Sequence, residues 1–394
     1  MSAGGSLHLA WRYIAHHRTR TVLLALSLGL TLALPLLVRG MVSIAQSEFR
    51  TRAEVTPLVL GAKGSALELT LNALYFRRSG VDTIPAGQMD VLRATRMAGA
   101  IPLHVHFHSQ EAPIVGTSLD YFSFRNLRIA DGQMLTRLGD CMVGARVART
   151  RDLHPGEFMY SSPEQVFDLA GAYPLKMRIT GVLDESHSAD DDAVFVDVKT
   201  SWLMAGIAHG HEDVVKNSDP KSVLEKREDN IAVTNAVRMF TEVTAENMAS
   251  FHFHGDPAFF PLTAILCVPH DEKSRALLLG KFLNSTNSTQ LVRPTEQMDA
   301  LLTALFQARE LALVLLAVLG VAVILIAALV FALSFKMRRR EFATLEAIGV
   351  AGSTLALVKI FEIILIGLGA GAVVLGVLRL METWGTELLR WAVR

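Results

Sequence analysis

Charged residues are few in this sequence, and they balance. Only 19% of its 394 residues are Asp, Glu, Lys or Arg, and the formal net charge is +0. This balance argues against a nucleic-acid partner, because binding DNA or RNA requires a basic surface. The hydrophobic share of 51% is concentrated in long apolar runs near the two ends. This distribution indicates a membrane protein with one large soluble insert.

Catalytic and nucleotide-binding motifs are missing. GxSxG, HExxH and CxxC do not occur. The glycine-rich segment GAKGS at residues 61–65 lacks the GxxxxGK[ST] spacing that lets backbone amides cradle phosphates, so it is interpreted as a turn. We therefore expect no enzyme activity and no cofactor on this chain itself.

Cysteine is nearly absent. Cys141 and Cys267 both lie in the central insert. In an oxidising compartment they would be able to form one disulfide. In the alternative interpretation they are two buried free thiols. The sequence does not decide between these, because a disulfide depends on the distance between the two Cα atoms.

Three apolar runs are long enough to cross a membrane, since about 20 helical residues span the hydrocarbon. They lie within residues 22–45, 309–335 and 353–378, and the second carries no charge from 311 to 335. A cleaved signal peptide is the alternative for the first run, because residues 43–45 weakly resemble a cleavage site. The long polar segment before that run favours an uncleaved span.

Basic residues next to the spans predict their orientation. They cluster before the first span and between the second and third, at Arg12, Arg18, Arg20, Lys336, Arg338, Arg339 and Arg340. Basic loops face the cytoplasm, and one topology satisfies both clusters. The predicted order is a cytoplasmic amphipathic helix (1–21), span one (22–45), an external domain (46–308), span two (309–335), a cytoplasmic loop (336–352), span three (353–378) and an external interfacial tail (379–394).

The insert mixes strand and helix patterns. Residues 105–109, 175–183 and 192–198 are rich in β-branched and aromatic side chains and predict strands, whereas 272–283 predicts a helix. A charge-dense stretch at 209–229 predicts a mobile loop between two lobes. The expected fold class is a membrane α-helical protein with three transmembrane helices and a large α+β extracytoplasmic domain inserted between helices 1 and 2.

The loop SFKMRRREFATLEAIGVAGS, at residues 334–353, predicts a short amphipathic helix lying along the membrane surface. Its order of basic residues, Arg-Glu, apolar stripe and Ile-Gly, followed by Glu362 in the next span, resembles the coupling segment of MacB/FtsX-like permeases of ABC transporters. LAWRYIAHHRTRTVLLALSLG and CMVGARVART, at residues 9–29 and 141–150, resemble other parts of the same family. That family usually has four spans, and this chain predicts three.

The resemblance implies a function. Such permeases lie in the bacterial inner membrane with a periplasmic core domain, pair with a second permease copy, and work with a separate ATPase that holds ATP and Mg²⁺. Closure of the ATPase dimer would move the spans and, through them, the periplasmic domain. The residues expected to contact the ATPase are Arg339, Arg340, Glu341, Leu345, Ile348 and Gly349.

Glycines in the third predicted span point to close packing between helices. Gly367 and Gly371 form a GxxxG pair, a spacing that lets helix backbones approach in lipid. Chance is the alternative, since glycine is common in membrane helices.

Histidines alternate along several external segments, as residues on one face of a strand do. With a nearby carboxylate they are candidate zinc ligands: His104, His106, His108, His209, His211, His252, His254 and Asp256. The alternative is that they are solvated or hydrogen-bonded strand residues. FHFHGD at 251–256 and its surroundings resemble permeases found alongside histidine-rich periplasmic zinc-binding proteins, which implies zinc handling and such a protein as a partner.

Two other functions stay open. A membrane-anchored zinc hydrolase would use His104, His106, His252 or His254, but it needs three ligands, an open position and a general base. A sensor or scaffold that does not transport would need a partner for its output, because the predicted cytoplasmic segments are too short to fold alone.

Overall fold

The computed structural model describes residues 3–77, 80–162, 174–210, 223–227, 230–233, 241–283 and 288–393. The chain divides into two compact units. The first, here called the helical unit, comprises Met1–Phe49 and Asp299–Arg394, and the second, the domain unit, comprises Arg50–Met298.

Eleven α-helices are present among the described residues. They are α1 (Ala3–His16), α2 (Arg18–Val55), α3 (Ala66–Tyr75), α4 (Gln88–Ala94), α5 (Asp120–Phe124), α6 (Ala145–Arg151), α7 (Val198–Met204), α8 (Glu272–Leu283), α9 (Pro294–Met337), α10 (Arg339–Ala347) and α11 (Gly352–Val393). The predicted helix at 272–283 is confirmed as α8.

Three of these helices have the length and apolar composition to cross a membrane. They are Arg18–Val55, Pro294–Met337 and the Gly352–Gly385 part of α11, with mean hydropathies of 2.3, 3.3 and 2.4. Few residues of their most apolar windows are buried inside the chain. Apolar side chains exposed on all sides of a helix suit a lipid environment.

The end of α11 differs from the sequence-based expectation. The sequence predicts a separate interfacial tail after residue 378, but α11 continues without a break to Val393. No proline follows the apolar run, and Leu, Met, Glu and Arg, which favour helix, outnumber the single Gly385 there. Trp384 is therefore an exposed position on the long helix itself.

Sixteen strands are described, all in the domain unit. They are β1 (Leu58–Ala62), β2 (Ile84–Pro85), β3 (Ala98–Ser109), β4 (Ala112–Thr117), β5 (Ile129–Gly132), β6 (Asp140–Val143), β7 (Phe158–Tyr160), β8 (Lys176–Leu183), β9 (Val194–Asp197), β10 (Ala208–Gly210), β11 (Val223–Arg227), β12 (Asn230–Val233), β13 (Phe251–Phe253), β14 (Pro261–Leu262), β15 (Ala264–Pro269) and β16 (Thr289–Val292). The strands predicted at 105–109, 175–183 and 192–198 are confirmed as parts of β3, β8 and β9.

Ten strands form one mixed sheet with the order β16-β1-β15-β3-β4-β9-β6-β8-β5, and β7 pairs with β8. Most pairs are antiparallel, while β4 with β9 and β6 with β8 are parallel. With helices packed against it, the sheet makes the domain unit an α+β structure, as the sequence predicts. The GAKGS segment joins β1 to α3, where Ser65 caps the helix by accepting a hydrogen bond from the Glu68 amide.

The two cysteines belong to separate parts of the core. Cys141 packs in an apolar cluster with Ile114, and Cys267 packs in another with Leu58. Both are buried free thiols, so the disulfide alternative is wrong. Burial raises the pKa of both thiols, that of Cys267 to about 12.

The predicted mobile loop at 209–229 is described only in part. Positions 209–210 belong to β10 and 223–227 form β11, so these positions are strands rather than loop. Backbone pairing with β13 and β12 accounts for the difference. Residues 211–222 and 228–229, including His211, lie outside the described residues.

Candidate functional site

Helix α10 is the segment predicted to contact an ATPase, and most of the predicted contact residues lie on its exposed side. Arg339, Arg340 and Glu341 are exposed, and Leu345 is half-buried. Ile348, just after the helix, is 72% exposed. Gly349 ends the segment with a φ of +91°, which a residue with a Cβ rarely adopts. The structure thus presents a compact polar and apolar surface at this turn.

The residue that holds α10 in place is Arg338, which the sequence-based prediction did not single out. Its guanidinium donates to Glu362 Oε1 at 2.7 Å and lies 3.3 Å from Glu341 Oε2. The same guanidinium lies over the Tyr13 ring, 3.5 Å from its centroid, and 4.7 Å from that of Phe342. Arg338 therefore connects α10 to α1 and α11.

Glu362 is the acidic partner in this network and is only 1% exposed. A carboxylate inside an apolar helix is costly unless it is paired. Because of that cost, a lone carboxylate in an apolar helix predicts a basic partner on a neighbouring segment. This is the sequence signal that points to Arg338. Arg20 adds a contact between helices by donating to Ser334 Oγ at 2.5 Å.

The predicted packing glycines do not meet another described part of the chain. A Cβ added at Gly367 or Gly371 would have no described neighbour within 4 Å. The close approaches inside the helical unit occur instead at Gly369, 3.3 Å from Ala25, and at Gly29, opposite Val373. The role of the GxxxG pair thus stays a prediction.

On β3, the alternating histidines are only partly exposed. His104 is buried and hydrogen-bonded through Nδ1 to Ser201 Oγ at 2.9 Å, and its ring stacks on His106. Burial, and secondarily the charge of His106, lowers the pKa of His104 to about 3, so it is neutral at physiological pH. A register shift lies between Val105 and His108. Within the described residues, these three histidines do not form a candidate metal group.

A second set of histidines does come together. His209, His252 and His254 place one ring nitrogen each within 4.8 Å of one another, and no other group of three potential ligands was found among the described residues. Nε2 of His254 lies 3.4 Å from Nε2 of His209. Asp256, predicted as a ligand, instead caps a short helix at Pro257–Phe259 by accepting from the Ala258 amide at 2.9 Å.

A buried ion pair in the domain unit was missed by the sequence reasoning. Arg52, near the end of α2, donates to both oxygens of Asp190 at 2.7 and 2.9 Å. The Tyr121 hydroxyl donates to Asp190 at 2.7 Å, and Arg52 also donates to the Leu74 carbonyl. Burial alone would raise the pKa of Asp190, but Arg52 outweighs it and holds this pKa below its usual value.

Comparison with known proteins identifies the family. The MacB-like periplasmic core domain family matches residues 21–243, more than half of the chain. The chain therefore belongs to the MacB/FtsX-like permeases of ABC transporters. This is a family of transporter components with a periplasmic domain that generally work with an ABC ATPase.

Two solved structures are similar in part. The periplasmic region of MacB from Actinobacillus actinomycetemcomitans is 9% identical, with a TM-score of 0.34, and the match covers 62% of this chain and 92% of that one. The extracellular domain of the noncanonic ABC-type transporter YknZ from Gram-positive bacteria is 10% identical, with a TM-score of 0.33, covering 60% and 98%. No curated protein matches the chain.

Proposed function

We propose that this chain is the transmembrane permease subunit that couples ATP hydrolysis by a separate ATPase to conformational change in its periplasmic domain. The observation that carries the proposal is the surface of α10 and the turn after it, which is exposed on one side and fixed by Arg338 on the other. In this proposal the ATPase binds that surface from the cytoplasm. The three long apolar helices span the bacterial inner membrane, and the amino terminus is cytoplasmic.

Coupling requires that a force on α10 reach other helices. Arg338 meets this requirement, because its ion pair with Glu362 and its contact with Tyr13 link α10 to α11 and α1. An ATPase that changes shape on binding ATP would favour one of two packed arrangements of these helices. The exposed Ile348 and Met337 supply apolar area for the contact.

Charge reversal tests the coupling surface. Arg339→Glu combined with Glu341→Arg should abolish co-purification with the partner ATPase, or abolish stimulation of its activity. Arg379→Glu reverses an equally exposed arginine elsewhere on α11 and should leave both unchanged. Full ATPase binding and full stimulation in the double variant would overturn the proposal.

A second copy of the permease is the expected partner for the glycine face of α11. Its support is the open space beside Gly367 and Gly371 among the described residues. Gly371→Cys should form a disulfide-linked dimer in membranes under mild oxidation. Gly369→Cys is the matched control, because that position faces Ala25 in the same chain. Equal cross-linking at both positions would contradict this packing.

The substrate side of the proposal is zinc or metal handling, with a periplasmic metal-binding protein as a partner. The cluster of His209, His252 and His254 supports it. A strain lacking the chain should grow poorly when zinc is limited or in excess, and the intact gene should restore growth. Unchanged growth and unchanged cellular zinc in both conditions would exclude this role.

The hydrolase alternative is weaker on chemical grounds. Metal-dependent hydrolysis needs a general base beside the bound water. Within the described part of the chain, the histidine cluster includes no carboxylate. ATP hydrolysis distinguishes a sensor that does not transport from a transporter. A sensor would respond to metal while hydrolysis by the partner stayed unchanged.

A further inference from the structure

The histidine cluster stands on a two-stranded ribbon whose register determines its geometry. Strands β10 and β13 pair antiparallel, with His209 directly opposite His252. His254 continues the pairing, since its amide donates to the Ile207 carbonyl at 2.9 Å. Residues two apart on a strand share a face, so His252 and His254 lie on the same side. The three imidazoles therefore project from one face of the ribbon.

The opposite face of the ribbon anchors it in the domain. Ala208 is buried, and the Phe253 ring stacks on Phe260 with centroids 5.8 Å apart. The Phe251 ring packs directly over Gly210. A side chain at this position would clash, because its Cβ would lie 2.7 Å from that ring. A ligand set on an anchored ribbon loses less conformational entropy on binding than one on a free loop.

The distances fit a tetrahedral metal. Bonds of about 2.0–2.1 Å from zinc to imidazole nitrogen place two ligand nitrogens about 3.3–3.4 Å apart. The two Nε2 atoms of His209 and His254 already lie 3.4 Å apart. The third nitrogen lies within 4.8 Å of both, and the exposed His252 ring would have to move closer to reach the same edge length.

The tautomer of His252 also favours binding. Its Nδ1 lies 3.1 Å from the Ser250 carbonyl oxygen. A carbonyl only accepts hydrogen bonds, so Nδ1 carries the hydrogen of the neutral ring and Nε2 keeps its lone pair. Metal-binding histidines commonly use this arrangement, in which a backbone carbonyl orients the ring and raises its basicity.

We propose that His209, His252 and His254 bind one Zn²⁺-class cation, whose fourth position, with no further ligand among the described residues, takes an exchanging ligand. Imidazole donors suit zinc, nickel, copper and iron, whereas magnesium and calcium require oxygen ligands. Structural zinc sites have four protein ligands and are closed, but His252 and His254 are exposed here. The site thus suits loading and release of a metal. It rests on the proposed function for its role in the cell.

Metal binding to the full chain in detergent tests this site. Zn²⁺ should displace a chromophoric chelator with one ion per chain, and Co²⁺ should give the intense visible bands of tetrahedral coordination. The triple alanine variant of the three histidines should lose these bands and bind Zn²⁺ at least about 100-fold more weakly. Changing a residue that only hydrogen-bonds a metal ligand already weakens binding by up to about 100-fold.

Two further variants separate ligation from folding. His106→Ala removes an exposed imidazole outside the cluster and should bind metal as the parent does. His254→Cys replaces one ligand with another and should keep tetrahedral Co²⁺ bands, shifted by the thiolate. Parent-like affinity in the triple variant, or no binding by the parent chain, would overturn the site.

The ATPase assay on the same preparations keeps this inference apart from the proposed function. Cluster variants should still bind the ATPase, while the Arg339 and Glu341 variant should still bind metal. If the parent chain binds the ATPase but no metal, the metal site is wrong. If it binds metal but no ATPase, the proposed function is wrong.

Discussion

Each unit of the molecule buries an arginine–carboxylate pair beside aromatic rings, and the two pairs differ in how fully they are satisfied. Arg52 and Asp190 in the domain unit are 7% and 3% exposed and form two parallel hydrogen bonds, with Tyr121 as a further donor. Arg338 and Glu362 in the helical unit share one short hydrogen bond. Among the described residues, Glu362 Oε2 has no hydrogen-bond partner.

The difference suggests different tasks. A fully satisfied buried network rigidifies its surroundings, because any rearrangement exposes a charge without a partner. A network in which one carboxylate oxygen lacks a hydrogen bond can rearrange at a lower cost in free energy. We therefore interpret Arg52 and Asp190 as a fixed anchor for the end of α2, and Arg338 and Glu362 as a joint that would change during the proposed coupling.

The largest expected effect comes from breaking the anchor. Arg52→Ala would leave Asp190 buried without its cation and should lower the free energy of unfolding by about 3–5 kcal/mol. Denaturant unfolding of the full chain in detergent measures it. Arg50→Ala removes a neighbouring exposed pair with Glu54 and should cost no more than about 1 kcal/mol. Similar losses in the two variants would refute the anchor.

Breaking the joint should affect coupling more than stability. Arg338→Ala should lower the free energy of unfolding by only about 1–3 kcal/mol, because the arginine is partly exposed and its partner is buried. Stimulation of the partner ATPase should nevertheless be lost. Arg338→Ala combined with Glu362→Gln should recover stability without recovering stimulation. A single variant that loses stability but keeps stimulation would show a merely structural role.

Acid should produce an effect that is confined to the domain unit and is nearly absent at neutral pH. The pKa of His104 is lowered to about 3, so an unfolded chain binds a proton there below about pH 6.5 while the folded chain does not. Stability should therefore fall as pH decreases from about 6.5 towards 3. His104→Asn should flatten this part of the pH profile, measured by thermal unfolding.

Asp190 extends the same profile to lower pH. Its pKa is depressed, so its stabilising contribution is complete above about pH 4 and is lost as pH falls further. Asp190→Asn should remove that second decline, at a lower overall stability. If both variants keep the pH profile of the parent chain, neither group governs acid unfolding.

The three long apolar helices and helix α10 were predictable because local composition determines them. A charge-free run such as 311–335 has few alternatives to a helix in lipid. The MacB-like motifs likewise lie in continuous segments, and the one at 141–150 falls within residues 21–243, which the family model matches. The strand patterns of β3, β8 and β9 follow from their β-branched and aromatic residues.

The grouping of side chains was not predictable, because it depends on pairing between distant segments. Alternation placed His104 and His106 on one face, but only the fold shows Ser201 of α7 covering His104. His209 meets His252 through a strand register that no local pattern specifies. Arg52 and Asp190 are 138 positions apart, and no feature of the sequence near either residue predicts that they pair.

The position of proline in two of the long helices, α2 and α9, has a mechanical consequence. At a rise of 1.5 Å per residue, the 38 residues of α2 and the 44 of α9 extend about 57 and 66 Å, roughly twice the hydrocarbon thickness. Pro35 interrupts the hydrogen-bond ladder inside α2, whereas the proline of α9 is its first residue, Pro294. Helix α9 should therefore bend evenly along its length, whereas α2 should bend mainly at Pro35.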